Sequence, residues 1–221
     1  MVAGGQNLVT LKRLLSSFFN LHLRRGLRAV TIDNPSLLSQ LSPVFAAAEE
    51  LGFLKPIIRG GAVRDGLQGT EINDYDLYVS RIQVADGLGL PSIKTPDAPE
   101  FYERWLSARL EMTGIEAHSA RLSERPYLSF NLRFTGIDRP VDLVINDEIL
   151  SPEMLAVEAD ATMNGVAASR EKIAAHPLFL SDMQNHIFRP TCATVGNLIS
   201  APKRYLTKFA SRDPQLTYRP F

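Results

Sequence analysis

Apolar residues recur at helical spacing near the start of the chain, between residues 8 and 25. They fall three or four positions apart, and polar and basic residues lie largely on the other side. This spacing predicts an amphipathic helix, because residues three or four apart share one helix face. That face could pack on the core of the same chain, pack on a second copy or another protein, or lie on RNA. The apolar positions are Leu8, Leu11, Leu14, Leu15, Phe18, Phe19 and Leu21.

The next stretch, residues 33 to 79, predicts two helices that alternate with two strands. Asp33 or Asn34 followed by Pro35 is typical of a helix start, and Gly52 is typical of a helix end. A short apolar run before a glycine pair then indicates a buried strand. The predicted elements are a helix at 37–51, a strand at 55–59, a helix at 62–68 closed by Gly69, and a strand at 75–79.

Beyond residue 80 the pattern is first strand-rich and then helical. Gly, Pro and Asp predict a loop at 86–100, and apolar spacing predicts a helix at 101–112. Three apolar runs with turn residues between them predict a meander of strands at 116–122, 127–134 and 141–145. Further helices are expected from 152 to 175 and at 203–211. This order predicts an α+β fold with a small mixed sheet.

The composition is that of an ordinary globular protein, with 45% apolar and 22% charged residues. Because the chain has no run of about 18 apolar residues, we expect no membrane span. Its first residues lack the charged-then-apolar layout of a secretory signal. The single cysteine, Cys192, cannot form a disulfide within the chain, which fits a reducing compartment. A cytoplasmic location is therefore expected.

The net charge is zero, but the charged residues are unevenly distributed. Residues 1–28 carry five basic side chains and no acidic one, and residues 203–221 carry five basic and one acidic. The part between them holds 14 basic and 23 acidic side chains, a net charge of −9. The neutral total argues against indiscriminate nucleic-acid binding. The basic ends are either solvated helix faces or segments that bind a phosphate backbone.

A glycine pair follows the first predicted strand and precedes the second predicted helix. Gly60 and Gly61 have no Cβ, so phosphate oxygens could approach the backbone N–H groups at the start of that helix. Taken alone, two glycines in this place indicate no more than a tight turn.

Two aspartates, Asp74 and Asp76, lie at the start of the second predicted strand. Residues i and i+2 of a strand point to the same face, so the two carboxylates are expected side by side. Neighbouring carboxylates repel unless a cation lies between them, and Mg²⁺ prefers oxygen ligands. Asp142, in another apolar strand, would complete a set suited to two-metal phosphoryl transfer. The alternative is a pair of exposed aspartates at a strand edge.

The segment from Gly60 to Asp76 resembles the signature of the head domain of tRNA nucleotidyltransferases and poly(A) polymerases. That signature reads Gly-Gly-x-x-Arg-Asp, a Leu-Gly pair and then Asp-x-Asp. The helix and strand predicted before it, and the strand that holds Asp142, follow the same order as in the family. Residues 160–165 and 201–206 resemble later motifs of the family. The signature residues of this chain are Gly60-Gly61-Ala62-Val63-Arg64-Asp65 and Asp74-Tyr75-Asp76.

This resemblance implies a nucleotidyltransferase-type α+β fold and a set of site residues. The implied catalytic residues and ligands of two Mg²⁺ ions are Asp74, Asp76 and Asp142. The implied nucleotide-binding residues are Gly60, Gly61, Arg64, Asp160, Asn164 and Arg204. In the family pattern the glycines hold the phosphates, the Asp160 and Asn164 positions hold the ribose, and the Arg204 position reads the base. Arg64 is expected to support the loop by pairing with a carboxylate.

Three features depart from the family's pattern. Glu158 and Ala159 stand where the family has two arginines that hold the triphosphate, so we expect weaker nucleotide binding. Ala201 stands where the family has an aspartate that reads the base, although Arg204 is kept. The family's helical body and tail, which hold tRNA, have no counterpart within these 221 residues. These departures argue against CCA addition itself.

The resulting hypothesis is a magnesium-dependent enzyme that moves a nucleoside monophosphate from an NTP, ATP or CTP, to a hydroxyl group. The expected acceptor is the 3′ end of a tRNA-like RNA. The alternatives are the same transfer to a protein or a small molecule, and an inactive head used as a binding module. The predicted organisation is an N-terminal helical extension at 1–30, a head at 31–168 and a helical, neck-like segment at 169–221. The extension could mediate self-association or bind a protein partner.

Overall fold

The computed structural model describes residues 27–110, 116–120, 127–191, 203, 205–210 and 213–219. The amphipathic helix predicted at 8–25 lies outside these residues, as do Cys192, Ala201 and Arg204. Of the helices described, none combines the length and the apolar character that a membrane span requires.

The first described helix, α1, covers Pro35–Glu50 and confirms the helix predicted at 37–51. Asn34 is its N-cap, because the side-chain oxygen accepts a hydrogen bond from the backbone N–H of Leu37 over 3.0 Å. Pro35 lies in the first turn, where its missing N–H costs no helical hydrogen bond. After the helix, Gly52 adopts a φ of 95° and turns the chain toward the sheet.

Four shorter helices follow in the described part of the chain. They are α2 at Gly61–Leu67, α3 at Ala98–Ser107, α4 at Pro152–Val157 and α5 at Phe179–Gln184. A 3-10 turn covers Thr162–Asn164, and a π-helical turn covers Tyr205–Phe209. The short helix after the glycine pair is thereby confirmed, as is a helical turn within the stretch predicted at 203–211.

One sheet of eight strands forms the centre of the described structure. Its strands are β1 Val30–Ile32, β2 Ile57–Arg59, β3 Tyr75–Ser80, β4 Glu116–Ala120, β5 Tyr127–Leu132, β6 Val141–Asn146, β7 Val166–Ala168 and β8 Ile173–Ala175. Their spatial order is β1-β8-β7-β2-β3-β6-β5-β4. Strands β3 and β6 run parallel, and the other neighbouring pairs run antiparallel. A separate parallel pair consists of β9 Ile187–Phe188 and β10 Thr217–Tyr218.

The main hydrophobic core lies between this sheet and helices α1, α2 and α3. Phe45 of α1 and Tyr102 of α3 are fully buried there, together with Leu77 and Leu143 of the central strands. On the opposite face of the sheet, α4 covers β2 and β7, where Leu155 packs with apolar residues of both strands. The same face of β3, β6 and β5 carries several half-buried polar residues, and the residues between them along each strand point into the main core.

The mixed α+β architecture agrees with the sequence prediction, as do the strands at 55–59, 75–79, 127–134 and 141–145. The prediction that residues 152–175 are mostly helical is wrong, because α4 ends at Val157 and the hairpin of β7 and β8 follows. The predicted loop at 86–100 is also too long, since α3 begins at Ala98 with a proline in its first turn. Strands β1, β9 and β10 have no counterpart in the prediction, and α5 was not predicted as a separate element within the helical segment at 169–221. The three-part division of the chain stays a prediction.

We expect Gly165→Ala to lower the free energy of unfolding by about 1–3 kcal/mol, the usual cost of overpacking a tight site. A Cβ at this position would lie 2.7 Å from Cβ of His176, 2.9 Å from the carbonyl oxygen of Thr162 and 3.1 Å from that of Ala156. Two of these neighbours are backbone atoms and cannot rotate away. Chemical denaturation measures the change. Gly89→Ala is the control, because a Cβ there would meet nothing within 4 Å. Equal losses in the two variants would contradict the steric explanation.

Candidate active site

A row of polar side chains crosses one face of the sheet. The pairing of β2 with β3 sets Arg59 beside Asp76, and the pairing of β3 with β6 sets Asp76 beside Asp142. The pairing of β5 with β6 then sets Asn131 beside Asp142. Directly paired residues point to the same face of a sheet, so the four side chains form one continuous row. All four are half-buried.

Asn131 orients one end of this row. Its Nδ2 donates a hydrogen bond to Oδ1 of Asp142 over 2.6 Å. Neither Asn131 nor Arg59 was among the candidate residues of the sequence analysis, because the register between distant strands cannot be read from either strand alone. The structure therefore adds an amide and a guanidinium to the two carboxylates.

The glycine turn lies against the first two aspartates. Gly60, at φ 69°, is the N-cap of α2, and a Cβ placed on it would lie 3.8 Å from Oδ2 of Asp76. A Cβ placed on Gly61 would lie 3.9 Å from Oδ1 of Asp74. Asp74 is exposed and directly precedes β3, whereas Asp76 lies within it. The turn and the carboxylates that the sequence analysis singled out are thus close together in space.

The donor types at this place fit a magnesium ion. Asp76 and Asp142 offer carboxylate oxygens from adjacent strands, and Asp74 offers another beside the turn. Within the described ranges, no group of three or more His, Cys, Asp or Glu side chains is arranged as a ligand set. Magnesium is commonly held by only one or two carboxylates, with water and substrate phosphates as its remaining ligands. The pair of Asp76 and Asp142 meets that smaller requirement.

Arg64 connects the glycine turn to a second group of candidate residues. Its guanidinium pairs with the carboxylate of Asp65, with Nε 2.7 Å from Oδ1, and Nη1 donates to Oδ1 of Asn164 over 3.1 Å. Asn164 in turn donates from Nδ2 to Oδ1 of Asp160 over 3.0 Å. The guanidinium also lies over the ring of Phe209, 5.6 Å from its centroid. Arg64, Asn164 and Asp160 therefore form one hydrogen-bonded chain beside the turn.

A buried ion pair holds the segment that carries Asp160 and Asn164. Asp182 is almost fully buried and accepts two hydrogen bonds from Arg189, each 3.0 Å long. The hydroxyl of Thr162 donates to the same carboxylate over 2.7 Å. The bond with Asp182 also raises the pKa of Arg189. This ion pair was not predicted, because no pattern in the sequence around Asp182 and Arg189 indicated that the two side chains would be buried together.

The structure thus brings eight of the nine candidate residues into two neighbouring groups. One group holds Gly60, Gly61, Asp74, Asp76 and Asp142, and the other holds Arg64, Asp160 and Asn164. Arg204 lies outside the described residues. Of the three positions that depart from the family's pattern, Ala159 is fully buried, Glu158 is the C-cap of α4, and Ala201 lies outside the described residues.

Solved structures with a similar fold include two CCA-adding enzymes. One is a CCA-adding enzyme in complex with CTP, with 17% identity and a TM-score of 0.52. The other is the Thermotoga maritima CCA-adding enzyme complexed with tRNA, also with 17% identity and a TM-score of 0.52. Each match covers 86% of this chain, but only 44% and 43% of the respective enzyme. At this level of identity the likeness shows a shared fold, and the chain spans less than half the length of these enzymes.

Comparison of the sequence alone gives no match to a protein-family model and none to a curated protein.

We expect the free energy of unfolding to decrease as the pH falls below about 6.5, the ordinary pKa of histidine. Burial lowers the pKa of His176. The cation of Arg189 lowers this pKa further, and the carboxylate of Asp182 raises it in part. The unfolded chain therefore binds a proton before the folded chain does, and stability is lost from the ordinary pKa downward. Denaturation between about pH 8 and about pH 5 measures this dependence.

His176→Asn is the matched variant, since its Oδ1 can replace the Nδ1 that accepts a hydrogen bond from the N–H of Leu178. The variant should show a flatter pH dependence over this range. The same slope in both proteins would mean that His176 is not the group responsible.

Proposed function

We propose that this protein is a metal-dependent nucleotidyltransferase that moves a nucleoside monophosphate from an NTP to the 3′ hydroxyl of an RNA. The observation that supports this most directly is the arrangement of Asp76 and Asp142 as paired residues of adjacent parallel strands, with the glycine turn beside them. Two acidic side chains and free backbone N–H groups in one place suit the binding of a metal together with a triphosphate.

The glycine turn is assigned to the leaving phosphates of the NTP. Gly60 and Gly61 open helix α2, whose first backbone N–H groups have no helical partners and suit an anion. The N–H of Gly60 itself donates to the carbonyl oxygen of Val166, so the N–H groups available to a phosphate begin at Gly61. A side chain at Gly60 would lie within contact distance of the Asp76 carboxylate and narrow the space for a phosphate. Glycine at this position therefore keeps the approach open and also tolerates the positive φ.

The ribose is assigned to the chain of Asp160, Asn164 and Arg64. Asp160 and Asn164 present carboxylate and amide groups that can accept from and donate to sugar hydroxyls. Arg64 is bound on one side by Asp65 and on the other by Asn164, which holds its guanidinium in one orientation. Its role here is to position Asn164 rather than to react.

The proposed transfer is one displacement at the α-phosphorus of the NTP. The 3′ oxygen of the acceptor forms a new bond to that phosphorus, and the bond to the oxygen bridging the α- and β-phosphates breaks. Pyrophosphate leaves with the bonding electron pair, and the hydroxyl proton passes to solvent. Asp142, held by Asn131, orients the attacking hydroxyl. Asp76 and Asp142 would hold magnesium, which would neutralise the charge that develops on the phosphate oxygens.

The choice between ATP and CTP, and the addition of CCA in particular, depends on residues beyond this site. Arg204, proposed to read the base, lies outside the described residues. Ala159 is fully buried and uncharged, so it offers no cation to a triphosphate. Triphosphate binding in this protein therefore relies on the glycine turn and the metal more than on a pair of arginines. The CTP and tRNA complexes of similar fold support an NTP and an RNA as partners.

A second candidate function is a binding module that has kept the fold without the reaction. The burial of Ala159 and the acidic side chain of Glu158 favour it, because both reduce the positive charge available to a triphosphate. The two candidates differ in one measurable respect. A binding module would bind an NTP or an RNA without releasing pyrophosphate from any acceptor, including protein and small molecules.

We expect Asp76→Asn and Asp142→Asn each to lower the rate of nucleotide transfer by at least about 100-fold, because each removes one metal-binding charge at the reacting phosphate. The assay follows label from each NTP in turn onto RNA in the presence of magnesium. Asp86→Asn is the control, since Asp86 is an exposed aspartate in a loop. Full activity of Asp76→Asn would refute the assignment. Absence of transfer by the unaltered protein on RNA, protein and small-molecule acceptors would favour the binding module.

A further inference from the structure

Arg59, the last residue of β2, differs from five other arginines of the described residues in its charged neighbours. Its guanidinium lies over the ring of Tyr78, with Cζ 5.5 Å from the ring centroid. Although Asp76 is its strand partner, the guanidinium of Arg59 is not among the ion pairs formed by the described residues. By contrast, carboxylate partners are present for Arg64, Arg81, Arg139, Arg170 and Arg189.

The side chain of Arg59 is directed along the sheet, away from the glycine turn. Tyr78 lies two residues beyond Asp76 on the same face of β3, and it is paired with Ile57 rather than with Arg59. The guanidinium of Arg59 therefore lies diagonally across the strands, over Tyr78 rather than beside its paired residue Asp76. The carboxylate of Asp76 consequently lies between two groups that can bind anions, the glycine turn on one side and Arg59 on the other.

In an in-line displacement, the leaving group and the acceptor occupy opposite sides of the site, here the side of the glycine turn and the side of Arg59. The attacking oxygen and the leaving oxygen lie on opposite sides of the transferred phosphorus. If the pyrophosphate leaves at the glycine turn, the acceptor has to approach from the side of Arg59 and Tyr78. The next row of the sheet on that side consists of Ile57, Tyr78, Val144 and Ser129, which are uncharged.

We infer that Arg59 binds a backbone phosphate of a single-stranded RNA acceptor, next to its terminal nucleotide. The inference rests on the function proposed above and adds to it the residue that holds the acceptor. A planar guanidinium fixed on an aromatic ring can donate two parallel hydrogen bonds to a phosphate and loses little freedom on binding. The backbone of a single-stranded RNA is flexible, so one of its phosphates can reach a side chain on the face of a sheet. A stiff duplex cannot bend its backbone in this way.

Binding of a short, fluorescently labelled single-stranded RNA, measured by anisotropy without NTP or metal, tests the contact itself. Arg59→Ala and Arg59→Gln should each weaken binding about tenfold, the usual loss for one charge-assisted contact. The slope of log affinity against log salt concentration should fall by about 0.7, as expected for one phosphate contact on a single strand. Arg170→Ala, which removes an exposed arginine paired with Glu49, is the control and should change neither quantity.

Steady-state kinetics then separate the acceptor from the nucleotide. Arg59→Gln should raise the KM for RNA about tenfold and leave the KM for the NTP unchanged. A rise in the KM for the NTP instead, or RNA binding equal to that of the unaltered protein, would overturn the inference. Thermal unfolding of each variant checks that the stack on Tyr78 is not needed for folding, and the glutamine variant keeps most of the side-chain length. If the unaltered protein transfers no nucleotide, the proposed function fails, whereas the anisotropy result still decides the role of Arg59.

Discussion

The parallel pairing of β3 with β6 is the constraint on which the candidate site depends. It sets Asp76 directly beside Asp142, and it can form only if the chain crosses from one end of the sheet to the other between the two strands. The residues of this crossover form α3, β4 and β5, and β5 lies next to β6 in the sheet. A shift of one residue in the register would place Asp142 on the apolar face, against the buried core. The packing of Leu77 and Leu143 in that core therefore fixes the positions of both carboxylates.

The first half of the fold could be predicted because its signals are local. Asn34, Pro35 and Gly52 mark the ends of α1 through cap geometry, which depends on neighbouring residues alone. The hairpin of β7 and β8 gave no comparable signal. Its six residues are apolar and buried, four of them are alanines, and a short run of this kind suits a strand and a buried helix equally. The partner strands β2 and β1, which decide the matter, lie more than a hundred residues earlier in the chain.

The candidate site divides in the same way. The glycines and aspartates could be predicted because their residue types and spacing point to one chemistry, and the structure brings them together. Arg59 and Asn131 could not, since their place in the polar row is set by strand register. The ion pair of Asp182 and Arg189 joins residues that are close in sequence, but its burial beside Thr162, an earlier segment, was likewise hidden. Local chemistry is visible in a sequence, whereas the groups that orient it are supplied by distant segments.

The edge of the sheet formed by β1 and β8 has a consequence for the order in which the protein can fold. Val30 pairs with Ala175, so the first described strand has to wait for one of the later strands before it acquires a partner. During synthesis, residues 30–32 leave the ribosome long before residues 173–175 do, and contacts of such long sequence separation slow folding. The segment that carries Asp160 and Asn164 is made in the same interval and enters the sheet through β7. Completion of the candidate site and pairing of the β1 edge of the sheet are therefore late and coupled events, and a nascent chain shorter than about 175 residues has neither.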